Sequence, residues 1–445
     1  MASLTNVLVA GGNAEAAVAR VEMLSPAGFA GLAVSSGIDI QNYASERQLD
    51  LVLFEGAFDD VDAFEVARSL KRNENTRHIP LIMLHKGASA EMLNEGMEAG
   101  LNDMLDANAE DEIIIARLQP LVRLSTMHAE FDRRIKSANA FGLSINTDEV
   151  GSVDTKNCRV LFVGAESPAV SALADALGST EFNPVFETDH FKAGARVAEE
   201  IFDSAVITVD DGEPMDKALH LCAHIRNNPR LFNLPVLIAA GSGDVVLGDA
   251  PYKQGASIAV PLTADINALT VGLLFLVRRQ RLRWNLHGPL TATLQPNTAD
   301  SLDGLYSEKF LRAHLSYLLE LGMRRPIFQW LFSPSRTLPV SAIHLKIKKP
   351  SWSKPPTGFP AWCVSRIGRR DWAKWHFFCV VLPGAADREA QQATDRIAGV
   401  LQHSPLKLAD GTPMSAPIWV QSSAVAATQS ENVDNLISRA RAAPV

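Results

Sequence analysis

Cysteine is scarce in this chain: four occur in 445 residues, Cys158, Cys222, Cys363 and Cys379. They form no Cys-x-x-Cys pair and no Cys/His metal spacing. At least two lie in apolar runs, so buried free thiols are expected, and neither a disulfide scaffold nor a zinc site. Long hydrophobic runs are also missing. The longest, "ALTVGLLFLV" at 268–277, is too short to cross a bilayer. The opening "MASLTNVLVAGGNAEA" lacks a charged leader followed by an apolar stretch, so no signal peptide is indicated and a cytoplasmic protein is expected. Positive charge is not in excess. A formal net charge of −8 argues against wholesale nucleic-acid binding. The bias of disordered chains is absent too, with 47% hydrophobic and 21% charged residues. What is present is length: 445 residues are too many for one core, so two to four domains are expected.

Self-comparison divides the chain further. "NVLVAGGN" from residue 6 returns as "RVLFVGAES" from 159, and "RNENTRHIPLIML" (72–84) returns as "RNNPRLFNLPVLI" (226–238). "EAGLNDML" (98–105) returns as "KQGASIAV" (253–260), always at an offset of 153 to 155. Residues 1 to about 125 and about 156 to 280 are therefore two copies of one module. In the first copy "NVLVAG", "DLVLFEG", "IPLIMLH" and "LNDMLD" read as strands. "AEAAVARVEML", "AFEVARSLKR" and "AEMLNEGMEAG" read as helices between them. Strands apolar on both faces and alternating with helices predict a parallel, doubly wound α/β sheet, with its crevice at the strands' carboxyl ends. The polar, Gly/Ser-containing stretch 137–157 reads as a linker.

These modules resemble the receiver domains of response regulators, in the "PLIML" fourth strand, the "AGLNDML" segment and the strand spacing. The resemblance implies a CheY-like, flavodoxin-like fold. It also implies two acids for Mg²⁺ after the first strand, an aspartate acceptor after the third, Ser/Thr after the fourth and Lys-Pro after the fifth. The first module places Gly11 and Gly12 at the acid pair, Glu55 at the phosphoacceptor, His85 at Ser/Thr and Ala107-Asn108 at Lys-Pro. The second places Gly164 and Ala165, then Thr208, Ala240 and Val260, and keeps Pro261. Mg²⁺ needs carboxylates that neither module supplies, so no metal and no aspartyl phosphorylation are expected. Glu55 reads either as a fixed charge imitating an acylphosphate or, in the plainer account, as a strand-end acid facing solvent. Asp210 and Asp211 read as loop acids.

In receivers the last helix belongs to the usual dimer face, so the resemblance implies a homodimer through these modules. The second module ends in "LTVGLLFLVRRQRLRWNLHGPL", an apolar helix running into Arg278, Arg279, Arg281 and Arg283 around Trp284. This basic C-terminal helix reads as a solvated helix end set against its own dipole, or as a cluster facing a phosphate or an anionic surface.

Residues 289–445 form a third unit. "EKFLRAHLSYLLE" has Leu311, Leu315, Leu318 and Leu319 on one helical face. Segments 338–347, 376–384 and 416–426 read as strands; "DREAQQATDRIAGVLQH" and "SENVDNLISRARAA" read as helices. An α+β, nucleotidyl-cyclase-like sheet is expected. "DSLDGLYSEKFLRAHL", "CVVLPGAADREA", "VQSSAVA" and "LISRARAA" resemble the opening, signature strand and closing motifs of the GGDEF (diguanylate cyclase) family. Two receivers and a GGDEF domain make the PleD-type arrangement. The expected boundaries are 1–136, a linker at 137–156, 157–288 and 289–445.

The catalytic residues of that family are missing. The five signature positions fall on Lys374, Trp375, His376, Phe377 and Phe378, the metal-binding aspartate on Lys346 and the guanine-reading asparagine on Ser307. The following segment 348–365 is short and carries four prolines, so the family's helix there cannot form. A pseudoenzyme without cofactor is expected, with no catalytic residues. Cyclic di-GMP remains possible as a regulatory ligand: "SRIGRRD" (365–371) resembles the family's RxxD inhibitory site. An ungapped count puts Ser365 and Gly368 on its Arg and Asp, so the match needs a shift; Arg366, Arg369, Arg370 and Asp371 carry the right chemistry at imperfect spacing. A basic loop before a strand is the alternative.

The resemblance thus implies a non-catalytic adaptor of the cyclic di-GMP network, similar to the PopA-like members of the family, with unidentified protein partners, a role in cell-cycle control and recruitment to a cell pole. The Trp/Pro segment 350–362 is a candidate contact surface. A diguanylate cyclase and a phosphorylation-responsive two-component regulator are the alternatives.

Overall fold

The computed structural model describes residues 5–46, 49–145, 150, 153–165, 167–178, 182–210, 213–228, 230–241, 248–300, 305–321, 326–333, 363–369, 376–381, 391, 395, 419–428 and 431–442. Two compact units divide the chain: Thr5–Ser125 with Asp148–Leu286, and Thr126–Thr147 with His287–Val445.

The first unit contains both copies of the repeat. Its first module runs β1 (Thr5–Ala10), α1 (Ala14–Leu24), β2 (Phe29–Val34), α2 (Gly37–Glu46), β3 (Leu51–Glu55), α3 (Ala63–Arg72), β4 (Leu81–His85), α4 (Ala90–Glu98), β5 (Asp103–Asp106) and α5 (Asp111–Asn139). The strands pair in parallel in the order β2-β1-β3-β4-β5. The second module repeats this with β6 (Cys158–Val163), α6 (Pro168–Gly178), β7 (Phe182–Glu187), α7 (His190–Glu199), β8 (Ser204–Val209), α8 (Asp216–Asn227), β9 (Val236–Ala240), α9 (Ala250–Lys253), β10 (Ile258–Pro261) and α10 (Ile266–Ala292). Its strand order is β7-β6-β8-β9-β10. This is the flavodoxin-like, CheY-like order, as the alternating apolar runs predict. Each central strand is buried on both faces: Leu51 to Phe54 and Val206 to Ile207 are sealed. Asn13, Asp62 and Ser89 cap α1, α3 and α4 by accepting from Ala16, Glu65 and Met92 backbone N–H groups.

The repeat extends to side chains. Lys71, at the end of α3, donates to the carbonyls of Arg77 and Ile79 and to Asn102 Oδ1. At the matching places in the second module Arg226 donates to the carbonyls of Phe232, Leu234 and Gly255, with Ser257 Oγ 3.4 Å away. A buried cation thus ties the turn before the fourth strand in both copies. Cys158 and Cys222 are buried thiols outside any disulfide, as expected, and burial pushes the Cys222 thiol up to about 11.

The two modules dock through the helices that close them. Val271 and Phe275 of α10 enter the core of the first module beside Leu70, Leu101 and Met104. Burying each such side chain contributes about 1.5–3 kcal/mol. Arg278 donates to the Met97 carbonyl at 2.9 Å, and Arg117 of α5 donates to the Ser257 carbonyl at 3.0 Å. Part of α5, at Arg117, thus meets the second module within one chain.

The arginine-rich stretch requires a correction. It does not end a helix: α10 continues to Ala292, so Arg278 to Arg283 lie mid-helix and not at a dipole terminus. Nor are they solvated. Arg281 pairs with Asp203 at 2.7 Å and donates to the carbonyls of Asp154 and Lys156. Arg279 and Arg283 are largely withdrawn from solvent between the modules.

In the second unit, α11 (Glu308–Glu320) and α12 (Val433–Ala442) cover a four-stranded antiparallel sheet of β11 (Pro326–Ser333), β12 (Cys363–Arg369), β13 (His376–Val381) and β14 (Trp419–Ala426), ordered β12-β13-β11-β14. Its core joins Phe310, Leu311, Leu315 and Leu318 to Cys379, Val381, Leu436 and Ile437, with Leu319 partly buried against them. An α+β unit is present, as expected. "PIFQWLFS" was not anticipated as a strand, yet β11 is central. The anticipated strand at 338–347, with Lys346, and the Trp/Pro segment 350–362 lie outside the described residues.

Candidate functional site

The crevice of the first module lies at the carboxyl ends of β3 and β4, and it is an open cleft of about 570 Å³. Glu55, His85, Lys86, Asn13, Asp62 and Ala107 are among its lining residues. Glu55, at the acceptor position, does not face solvent: its carboxylate is only 12% exposed and takes a two-pronged contact from Arg20, at 2.8 and 3.3 Å. Arg20 also reaches the Ala107 carbonyl at 3.4 Å, at the position where receivers carry lysine. The negative charge read as an acylphosphate mimic is neutralised by a cation from α1. Sequence reading missed Arg20, because it is 35 residues from Glu55; its one signal is that it is the lone basic residue in "AEAAVARVEML".

The acid pair is more than replaced. A Cβ on Gly11 would run into the Glu55 carbonyl, and one on Gly12 would come within 2.8 Å of the Ala57 carbonyl. No side chain fits where the magnesium ligands of a receiver would stand. His85, at the Ser/Thr position, has its Nδ1 out of solvent without a hydrogen-bond partner. Burial lowers its basicity, against a smaller opposing pull from Asp106.

The second module closes the same place more tightly. Gly164 packs against Thr208 so that a Cβ would strike its hydroxyl and carbonyl. Thr208 is 2% exposed and donates its hydroxyl proton to the Val163 carbonyl at 3.2 Å. Ala240 is buried at the Ser/Thr position. Asp211 lies outside the described residues, and Asp210 is half-buried after β8. Among the described residues, no group of three His, Cys, Asp or Glu could hold a metal ion.

Arg20→Ala would strand the largely buried Glu55 carboxylate. A loss of about 1–3 kcal/mol is expected, measured by urea unfolding. The Glu55→Gln/Arg20→Ala pair should lose less than the two single changes together, which a double-mutant cycle reads directly.

In the second unit, Ser307 is engaged as the cap of α11, accepting from the Phe310 N–H at 3.2 Å. His376, Phe377 and Phe378 are part of β13, opposite Phe332, Leu331 and Trp330 of β11. Lys374 and Trp375 lie outside the described residues, as do Arg370 and Asp371. The segment read as a possible loop is a strand: Arg366 and Arg369 lie on β12, opposite Phe378 and His376. The register shifts between them, so a spacing of three on β12 meets a spacing of two on β13.

No family model matches the chain. Among curated proteins it is similar to the response regulator PleD of Caulobacter vibrioides, 26% identical over 275 residues, or 61% of this chain and 58% of that protein. The chain is PleD-like and contains receiver-type modules. The aligned stretch spans only 58% of the length of PleD. Shorter stretches are similar to the DNA-binding dual master transcriptional regulator RpaA of Synechocystis sp., 31% identical over 22% of this chain and 42% of that one. Another resembles the phosphate regulon transcriptional regulatory protein PhoB of Pseudomonas aeruginosa, 32% identical over 18% of this chain and 34% of that one. Among solved structures, the chemotaxis response regulator CheY4 of Vibrio cholerae aligns at 19% identity, covering 26% of this chain and 98% of CheY4, with a TM-score of 0.26. A signal receiver domain of a histidine kinase from Syntrophus aciditrophicus aligns at 19%, covering 27% and 90%, with the same TM-score of 0.26. The receiver fold rests on the observed strand order in both modules. Among the described residues, no helix is long and apolar enough to cross a membrane.

Proposed function

We propose that this chain is a non-catalytic regulator in a cyclic di-GMP network, with two degenerate receiver modules and a degenerate GGDEF domain at 289–445, in the manner of PopA-like proteins. The observation that carries the receiver half of this reading is the lack of room for metal ligands at both acceptor sites: Gly11 and Gly164 press against Glu55 and Thr208 where they would be needed. Such modules serve as binding scaffolds and do not respond to phosphoryl transfer. For the third unit, the signature positions Lys374, Trp375, His376, Phe377 and Phe378 contain no carboxylate to bind metal or lower the pKa of a 3′-hydroxyl. The placement of Arg366 and Arg369 on the same strand supports the ligand part. Guanidinium forks suit the phosphates and guanine edges of cyclic di-GMP.

The test is calorimetric titration of the full chain with cyclic di-GMP, beside an Arg366→Ala/Arg369→Ala variant. Wild type should release heat and the variant should not; no heat from wild type removes the ligand from the proposal. In parallel, incubation with GTP and Mg²⁺ should give no cyclic di-GMP above the protein-free background. Product above that level would establish a cyclase and end the non-catalytic reading.

A further inference from the structure

The contact between the two receiver-type modules holds more positive charge than it balances. Arg117 and Arg226 meet on one residue: Arg117 donates to the Ser257 carbonyl at 3.0 Å, and Arg226 lies 3.4 Å from Ser257 Oγ. Arg226 and Arg123 meet on the next: Arg226 donates to the Phe232 carbonyl at 3.0 Å, and the Arg123 guanidinium stands 5.2 Å from the centre of the Phe232 ring. Arg279 and Arg283, four residues apart on α10, present one helical face to this group. Burial lowers Arg279 and Arg283 to about 9 each. Mutual repulsion adds to this: Arg117, Arg123 and Arg226 act on Arg279, while Arg123, Arg279 and Arg226 act on Arg283. Arg123 stays exposed at the rim of the group, where Arg226 opposes its charge.

Among the described residues, one carboxylate acts on this group. It is Asp103, and Arg117 engages both of its oxygens. Arg117 and Arg226 have structural work, since each fixes backbone carbonyls. Arg283 does not. Both of its terminal nitrogens are out of solvent and without a hydrogen-bond partner. An unpaired cation withdrawn from water costs several kcal/mol, so a guanidinium fork left in this state is an incomplete contact. Planar forks converging from three helices match a tetrahedral oxyanion, which accepts from several of them at once.

We propose that Arg123, Arg226, Arg279 and Arg283 form a binding site for a phosphate-bearing anion, seated between the two receiver-type modules. The site is separate from the strand carrying Arg366 and Arg369, and it stands whether or not cyclic di-GMP binds there. Bound phosphate would join α5, α8 and α10, so its effect is to lock the docking of the modules.

The experiment is thermal unfolding of the full chain in inorganic phosphate against sodium chloride of equal ionic strength, with cyclic di-GMP as a second ligand. Phosphate should raise the melting temperature by about 4 °C or more beyond chloride. In phosphate-free buffer Arg283→Gln should melt no lower than wild type, because it removes an unpaired buried charge, and it should lose the phosphate-dependent shift. Arg279→Gln is the second variant, with the same expectation. If cyclic di-GMP alone gives the shift and Arg283→Gln abolishes it while Arg366→Ala/Arg369→Ala does not, the phosphate belongs to a nucleotide and the site stands. Equal melting in phosphate, cyclic di-GMP and chloride would overturn the proposal, as would a phosphate shift that survives both Gln variants.

Discussion

Glu130→Gln is expected to destabilise the unit formed by Thr126–Thr147 and His287–Val445 by about 3–5 kcal/mol, read as a fall in the urea midpoint. Glu130 is fully buried and receives Arg134 Nε at 2.8 Å. His314, also fully buried, brings Nε2 to 3.3 Å from the same carboxylate oxygen. The rest of the network is held in place around them. His314 Nδ1 lies 2.9 Å from Ser137 Oγ, and its ring stacks on Phe310 at 6.2 Å. Arg134 reaches the Tyr306 hydroxyl at 3.5 Å and lies over the Tyr306 ring. Neutralising Glu130 leaves the Arg134 charge without its counter-ion in a core that also contains Leu311 and Leu315. The pH dependence follows from the same geometry. Burial alone would raise the Glu130 carboxyl, but Arg134 and His314 outweigh it and hold the group at about 2. The unfolded chain therefore binds this proton first as pH falls below the usual value near 4.5. The stabilisation is complete above that value and is lost as pH falls toward 2, in total roughly 3 kcal/mol. Wild type should lose stability across that window more steeply than Glu130→Gln. Parallel curves would show that the carboxylate is not held by its partners.

Different parts of this molecule were legible in the sequence to different degrees, and the reason is local. The receiver-type sheets announce themselves because strands buried on both faces, such as "LVLF" and "VLIAA", must be uniformly apolar. The repeat at 72–84 and 226–238 aligns Arg226 with Arg72, whereas the cation that ties the corresponding carbonyl in the first module is the preceding Lys71, so this likeness shows only in the structure. Degenerate positions such as Gly11 and Gly164 could be read as absent ligands, but not as glycines that the closure requires. That depends on how closely β3 and β8 approach them. The Arg20–Glu55 pair and the arginines of α10 were invisible for a different reason. Their partners come from other helices, and a charged side chain on an isolated helix looks the same whether water or another module covers it. Arg279 and Arg283 read as solvated until α5 and the turn before β9 are laid against them. The central strand β11 is hidden in the sequence because the apolar segment at 338–347 reads as a strand in its place.

Asp103→Asn is expected to cost about 3–5 kcal/mol and to loosen the docking of the two receiver-type modules. Asp103 is 1% exposed, and its carboxylate takes Arg117 Nε at 2.8 Å and the Met104 N–H at 3.0 Å. Through Arg117 it is connected to the Ser257 carbonyl of the second module. It also supplies the negative charge felt by Arg279, against the repulsion of Arg117, Arg123 and Arg226. An amide at this position keeps the shape and loses the charge, so the loss reports electrostatics and not packing. The double replacement Asp103→Leu/Arg117→Met removes both charges and should recover most of the stability, because a buried pair is expensive mainly when one partner is left behind. Chemical denaturation of the four chains gives the coupling directly, and an additive result would show that the pair does not act as one. Added phosphate separates the two roles of Asp103. If an anion completes the arginine group, Asp103→Asn should gain more from phosphate than wild type does, since it starts with one negative charge fewer. A gain equal to that of wild type would place Asp103 outside the group that the anion serves.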